Sequence, residues 1–224
     1  MTFQPDTFGV KTEEYPLSRR LFLSTPPLGG FAPQSAAAGL IEFALSLKAQ
    51  PAVREAGFID QELEQSNAQG VRVAHAQNLP PAPARTDHQA SADPGAALLR
   101  DIGGTARIST TLRFHANSTA LDNKALNDIE VLAQFLRFLR ETKSGRRLVF
   151  AGFSDSEGAV PRKVALSLER ANAARQALVR KDPRNAEVID ARGYGPVLPV
   201  ACNDSETGRD KNRRVEVWLG LRRQ

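Results

Sequence analysis

Cysteine is all but missing from this 224-residue chain. Cys202 stands alone, which excludes an internal disulfide and leaves too few thiolates for a cysteine metal site. Histidine is scarce as well. His75, His88 and His115 sit in unrelated contexts without the close spacing of paired ligands, so they read as surface or packing residues and no metal is expected. No apolar run reaches the roughly 18 to 20 residues that a membrane-spanning helix needs, so no transmembrane segment is expected. The opening Met1-Thr2-Phe3-Gln4-Pro5-Asp6 lacks a basic start followed by an apolar stretch, and no export signal is visible there. A nucleophile-base pair, a metal cluster and a Gly-rich phosphate loop are all wanting, which argues against an enzyme and against a cofactor. Aromatic residues make up only 6%, and no stacking platform accompanies the arginine runs, so nucleic acid is not expected as a partner.

What remains is an ordinary globular balance. Hydrophobic residues are 41% and charged residues 25%, in a chain long enough for one or two domains with cores of their own. The formal charge of +5 favours an acidic partner, whether nucleic acid, anionic lipid or anionic cell-wall polymer, without choosing between them.

Three regions differ along the chain. Residues 1–61 hold apolar stretches at helical spacing, as in Ala37, Leu40, Ile41, Ala44 and Leu45, and read as a small folded α/β segment. Residues 62–104 turn to Gln, Ala, Pro, Asp and Gly around Pro80-Pro81-Ala82-Pro83, the composition of a flexible linker. Residues 105–224 become regular again.

In that last region Ile108, Thr110, Leu112 and Phe114 alternate as a strand does. Leu126, Ile129, Leu132, Ala133, Leu136 and Leu139 follow at three- and four-residue steps, with Asp122 placed as N-cap of an amphipathic helix. Residues 147–153 read as a buried strand, 162–180 as a second helix, 188–191 as a third strand and 214–219 as a fourth. The order predicts a βαβαββ-like α/β fold, a two-layer sandwich with both helices on one face of a mixed sheet.

One charge falls on the apolar stripe of the second helix. Leu166, Arg170, Ala173, Ala174, Ala177 and Leu178 share a face, so the Arg170 guanidinium lies at the buried side or its margin and needs a partner. Asp155, in the loop Ser154-Asp155-Ser156-Glu157-Gly158 that leads to this helix, can reach the same rim. Two readings stand at this point. The residues neutralise each other as a structural pair, or they present a carboxylate and a guanidinium to a zwitterion, the first accepting from an ammonium and the second gripping a carboxylate with two prongs.

The ordered motifs Gly152-Phe153-Ser154-Asp155-Ser156-Glu157-Gly158, Leu166-Ser167-Leu168-Glu169-Arg170-Ala171, Gly193-Tyr194-Gly195 and Asn212-Arg213-Arg214-Val215-Glu216, after Phe114, Asn117 and Leu121, closely resemble the OmpA C-terminal-like family. The resemblance implies non-covalent binding of the diaminopimelate-containing peptide of peptidoglycan, hence anchorage to the cell wall in the periplasm or cell envelope. It implies that Asp155 takes the ammonium of diaminopimelate and Arg170 its carboxylate. Ser154 replaces the family's usual Thr and keeps a hydroxyl, while Lys163 stands where many members have Asn. Such a lysine either adds an anion contact or weakens the usual fit. Asn212 and Arg213 are secondary candidates at the rim, or else serve only the turn before the fourth strand.

A second resemblance covers about 60 residues. Tyr15-Pro16-Leu17-Ser18-Arg19-Arg20-Leu21-Phe22-Leu23, Ile41-Glu42-Phe43-Ala44-Leu45-Ser46 and Gly57-Phe58-Ile59 are similar to the closing segment of periplasmic phosphate-type substrate-binding proteins. It implies a fragment of a longer fusion, and an alternative function in which the C-terminal domain is only the wall anchor of a solute-binding or signalling protein. No phosphate site is carried over, because that family closes two complete lobes around its ligand.

Overall fold

A computed structural model describes residues 6–23, 36–66, 93–114, 118–142 and 144–221. Two compact units divide the chain, Met1–Leu63 and Glu64–Gln224. His75, His88, His115, Asn117 and the proline run at 80–83 lie outside the described residues.

The first unit contains three short helices, α1 (Thr7–Lys11), α2 (Ala36–Leu45) and α3 (Gln50–Glu55). Its interior is polar. The buried Lys11 ammonium donates to Asp60 Oδ1 at 2.9 Å and to the Glu62 carbonyl at 2.8 Å, and Arg54 reaches Asp60 Oδ2 at 3.1 Å. Leu21, Phe22 and Leu23 belong to no strand, and no strand occurs among the described residues of this unit, which reads from its sequence as a small α/β segment. These side chains are largely exposed, and a single extended segment leaves its backbone groups unpaired unless a neighbouring strand takes them up.

The second unit is built on a five-stranded mixed sheet. Its strands are β1 (Gln65–Ser66), β2 (Ala106–Arg113), β3 (Arg146–Gly152), β4 (Ile189–Gly193) and β5 (Arg214–Leu221), in the order β1-β2-β5-β3-β4. All pairings are antiparallel except β3 with β4. Two long helices make the crossovers, α5 (Asn123–Glu141) between β2 and β3, and α6 (Val160–Lys181) between β3 and β4. Asp122 caps α5 as expected, accepting from Ala125 N at 2.7 Å. The mixed α/β class and the order of the two long helices and the four longer strands stand as read from the sequence, while a short helix, Glu206–Asn212, lies between β4 and β5 where only a turn was expected.

One sheet face meets these helices, and Ile108, Leu112, Leu148, Phe150, Val217 and Leu219 on the strands and Leu132, Leu136, Ala174 and Leu178 on the helices are all essentially buried. The other face is covered too. Helix α4 (Pro94–Ile102) and the segment after β4 bring Leu98, Tyr194 and Leu198 onto Val149, Ala151, Phe153 and Trp218. Both ends of the stretch read as a linker thus take part in the structure, Gln65–Ser66 by pairing with β2 and Pro94–Ile102 by packing on the sheet. Asp93 caps α4 through Gly95 N at 2.9 Å, and Pro94 takes the first helical position, where its missing N–H costs nothing.

Candidate functional site

The site lies where β3 ends and α6 begins. Phe153 N donates to the Arg214 carbonyl and Ser154 N to the Gly195 carbonyl, both at 2.8 Å, which pins the strand end between β5 and the turn after β4. Two glycines let α6 come down onto this end. A Cβ on Gly152 would lie 2.0 Å from the Ser167 carbonyl oxygen, and one on Gly193 would lie 2.5 Å from Leu168 N, so any larger residue would push the helix away. Ser167 Oγ accepts from Gly195 N at 3.0 Å and fixes the contact. Lys163, Ser167 and Arg170 recur along one side of the helix, and Gly158, at φ +101°, reverses the loop that carries Asp155 back toward them.

Asp155 is only 4% exposed and fully engaged. Its Oδ1 accepts from Lys163 Nζ and, at 3.1 Å, from Glu157 N, while Oδ2 accepts from Arg213 Nη1 at 3.2 Å. Burial alone would raise its pKa, but Lys163, the Glu157 amide and Arg213 outweigh that and hold the carboxyl below its usual range. Because the folded value is depressed, the stabilisation is present above about pH 5 and is lost as pH falls below the unfolded value of about 3.9 and through the folded one. Asp155→Asn is expected to lower the urea midpoint at neutral pH, with the gap to wild type closing in acid. A gap that stays constant across a pH series would show that the charge contributes nothing.

Arg170 is in a different condition. It is 2% exposed and makes no ion pair with Asp155. Its Nε donates to the Ser118 carbonyl at a long 3.4 Å, its guanidinium lies 5.7 Å from the Phe114 ring centroid, and buried Nη1 has no hydrogen-bond partner among the described residues. Burial, then the nearby Arg213, push its pKa down, with Asp155 and Asp210 opposing. The structural-pair reading of Asp155 with Arg170 is therefore corrected. Asp155 is neutralised by Lys163 and Arg213, because their side chains close directly on its two oxygens.

The remaining expected residues divide. Ser154 is buried, and its hydroxyl donates to the Asp155 carbonyl at 3.0 Å, within the loop. Arg213 sits at the rim on Asp155, Glu206 and Asp210, and its pKa is raised by these partners against the effect of burial. Asn212 is fully buried and works inside the fold. Its side chain accepts from Val200 N at 2.8 Å and Ala201 N at 3.1 Å, and donates to the Ala201 carbonyl at 2.8 Å and Asn203 Oδ1 at 2.9 Å. Asn203 Oδ1 in turn accepts from Ser156 N at 3.2 Å. Asn212 thus steadies the Asp155 loop through Asn203.

The arrangement offers one buried, incompletely bonded guanidinium close to a carboxylate already bridged by two cations. It is suited to gripping an anionic group. Residues 113–213 match the sequence model of the OmpA family. The chain is 31% identical over 115 residues to outer membrane porin F of Pseudomonas aeruginosa, a match covering 51% of this chain and 32% of the porin. It is 32% identical over 111 residues to the peptidoglycan-associated lipoprotein of Pseudomonas putida, covering 50% of this chain and 63% of the lipoprotein. The solved structure of the cell wall anchor of the T6SS from Pseudomonas aeruginosa is 26% identical, with 52% of this chain and 82% of that one covered and a TM-score of 0.42. The chain spans from about a third to under two thirds of the length of these two curated relatives. No helix among the described residues is long and apolar enough to cross a membrane.

Proposed function

We propose that the OmpA-like domain binds the diaminopimelate-containing peptide of peptidoglycan non-covalently and so anchors the chain to the cell wall, in the periplasm or cell envelope. The observation that carries the reading is Arg170, a buried guanidinium with an unpartnered Nη1 beside Asp155, held within a domain whose relatives include one named for its association with peptidoglycan. Arg170 grips a carboxylate of the peptide, beside an Asp155 carboxylate that already carries Lys163 and Arg213. Ser154, Asn212 and Arg213 hold the loop and the rim in place. The reaction is a binding equilibrium, with no bond made or broken.

For the first unit the proposal is that of a passenger. The anchor holds it at the wall, and its likeness to the closing segment of a phosphate-type substrate-binding protein suggests that it belongs to a solute-binding or signalling partner domain.

Co-sedimentation of the full chain with purified diaminopimelate-type peptidoglycan tests the anchor. The protein is expected to pellet with the polymer and to be released by excess free diaminopimelate. Protein that stays in the supernatant, or that pellets unaffected by the free amino acid, would overturn the reading.

A further inference from the structure

Both oxygens of Asp155 already carry a cationic partner. Lys163 Nζ closes on Oδ1 and Arg213 on Oδ2, in a pocket where the two side chains of the Lys163 pair are 15% and 6% exposed. A cation in the first turn of a helix works against the helix dipole, so Lys163 is not placed there to favour α6. Its stem runs over Gly158, where a Cβ would lie only 3.7 Å from Lys163 Cε, and this guides the ammonium to the carboxylate. Arg170, two turns further along the helix, keeps a buried donor that nothing in the described structure accepts.

We propose that Lys163 Nζ fills the ammonium half of the zwitterion site from within, so that this domain selects its ligand by the carboxylate on Arg170 alone. The inference rests on the cell-wall reading and deepens it. A ligand ammonium takes the Oδ1 position, where Lys163 and the Glu157 amide both donate, only by displacing the ammonium of Lys163, and exchanging one for the other on the same carboxylate gains almost nothing. The free valence of the site is a donor, the Arg170 guanidinium, and it needs an anion. The ligand class is thus a carboxylate-bearing amino-acid end whose amino group can be free or acylated. Lys163 is the residue that determines this specificity. Asparagine at the same position is too short to reach across the loop as lysine does, and it would leave Asp155 Oδ1 open to the ligand.

The test compares purified diaminopimelate-type peptidoglycan with the same polymer after N-acetylation, which turns free ammonium groups into neutral amides. Wild-type full chain is expected to bind both with dissociation constants within about threefold, as for the exchange of equivalent ion pairs. Lys163→Asn is expected to prefer the unmodified polymer by at least about tenfold. Lys163→Gln repeats the comparison if circular dichroism shows the asparagine variant misfolded. A wild-type protein that loses at least about tenfold on acetylation, or a folded Lys163 variant that stays indifferent to it, would overturn the proposal. Wild type that binds neither polymer would bring down the cell-wall reading, and this inference with it.

Discussion

Glu216→Ala is expected to destabilise the second unit by about 3–5 kcal/mol, the range for removing one partner of a buried ion pair. Glu216 is fully buried on the central strand. It accepts from Arg214 at 2.7 and 2.8 Å, from Trp218 Nε1 at 3.2 Å, and pairs with Arg107 Nε at 3.3 Å. Both guanidiniums are themselves buried, at 2% exposure for Arg107 and 0% for Arg214. Arg214 keeps the Leu198 carbonyl at 2.8 Å and the face of Phe153 at 4.2 Å when the carboxylate goes, but neither supplies a countercharge. Two buried cations would then lose the Glu216 countercharge in a low-dielectric interior. Urea unfolding followed by circular dichroism measures the loss, and Glu216→Gln, which keeps an acceptor, should fall between. A loss under about 1 kcal/mol would mean that water or a shifted side chain replaces the carboxylate.

This network also shows where the sequence stopped being legible. Arg214, Glu216 and Trp218 alternate with Val215, Val217 and Leu219, a pattern that ordinarily puts polar residues toward water on an antiparallel strand. Here the polar set is buried, because α4 and the segment after β4 close over that face. Helix α4 itself was hidden by the Ala, Gly, Pro and Asp composition that led 62–104 to be read as a linker, although Asp93 before Pro94 carried a helix-start signal. The long periodic elements were readable since their apolar spacing alone specifies them, down to the Asp122 cap. At the site, the burial of Arg170 followed from its place on the helix stripe, and the approach of the Asp155 loop from the strand-turn-helix order. The partners of Asp155 did not follow. A long flexible lysine or arginine reaches groups that its backbone position leaves undetermined, and only the folded geometry shows that Lys163 and Arg213 both end on this carboxylate.

Arg170 separates binding from stability more sharply than any other residue of the site. Arg170→Met removes a buried guanidinium that has a weak 3.4 Å hydrogen bond, a bare Nη1 and a pKa depressed first by burial, so the fold is expected to hold its stability or gain. Methionine fills a similar apolar volume and still meets the Phe114 ring. Binding should behave in the opposite way. Without the guanidinium the ligand carboxylate loses its charged partner in a desolvated pocket, a loss of about 2–5 kcal/mol and thus at least roughly 30-fold in affinity. Arg170→Lys tests the geometry of the same contact. An ammonium restores the charge but not the planar two-pronged grip, so affinity should recover only in part. Peptidoglycan co-sedimentation and urea unfolding on the same preparations give both quantities. A destabilised Arg170→Met would return Arg170 to a structural role, and a stable Arg170→Met that still pellets with the polymer would remove it from recognition. Loss of binding in a protein that unfolds no earlier than wild type is the outcome expected of a side chain whose burial destabilises the fold and is retained for the ligand.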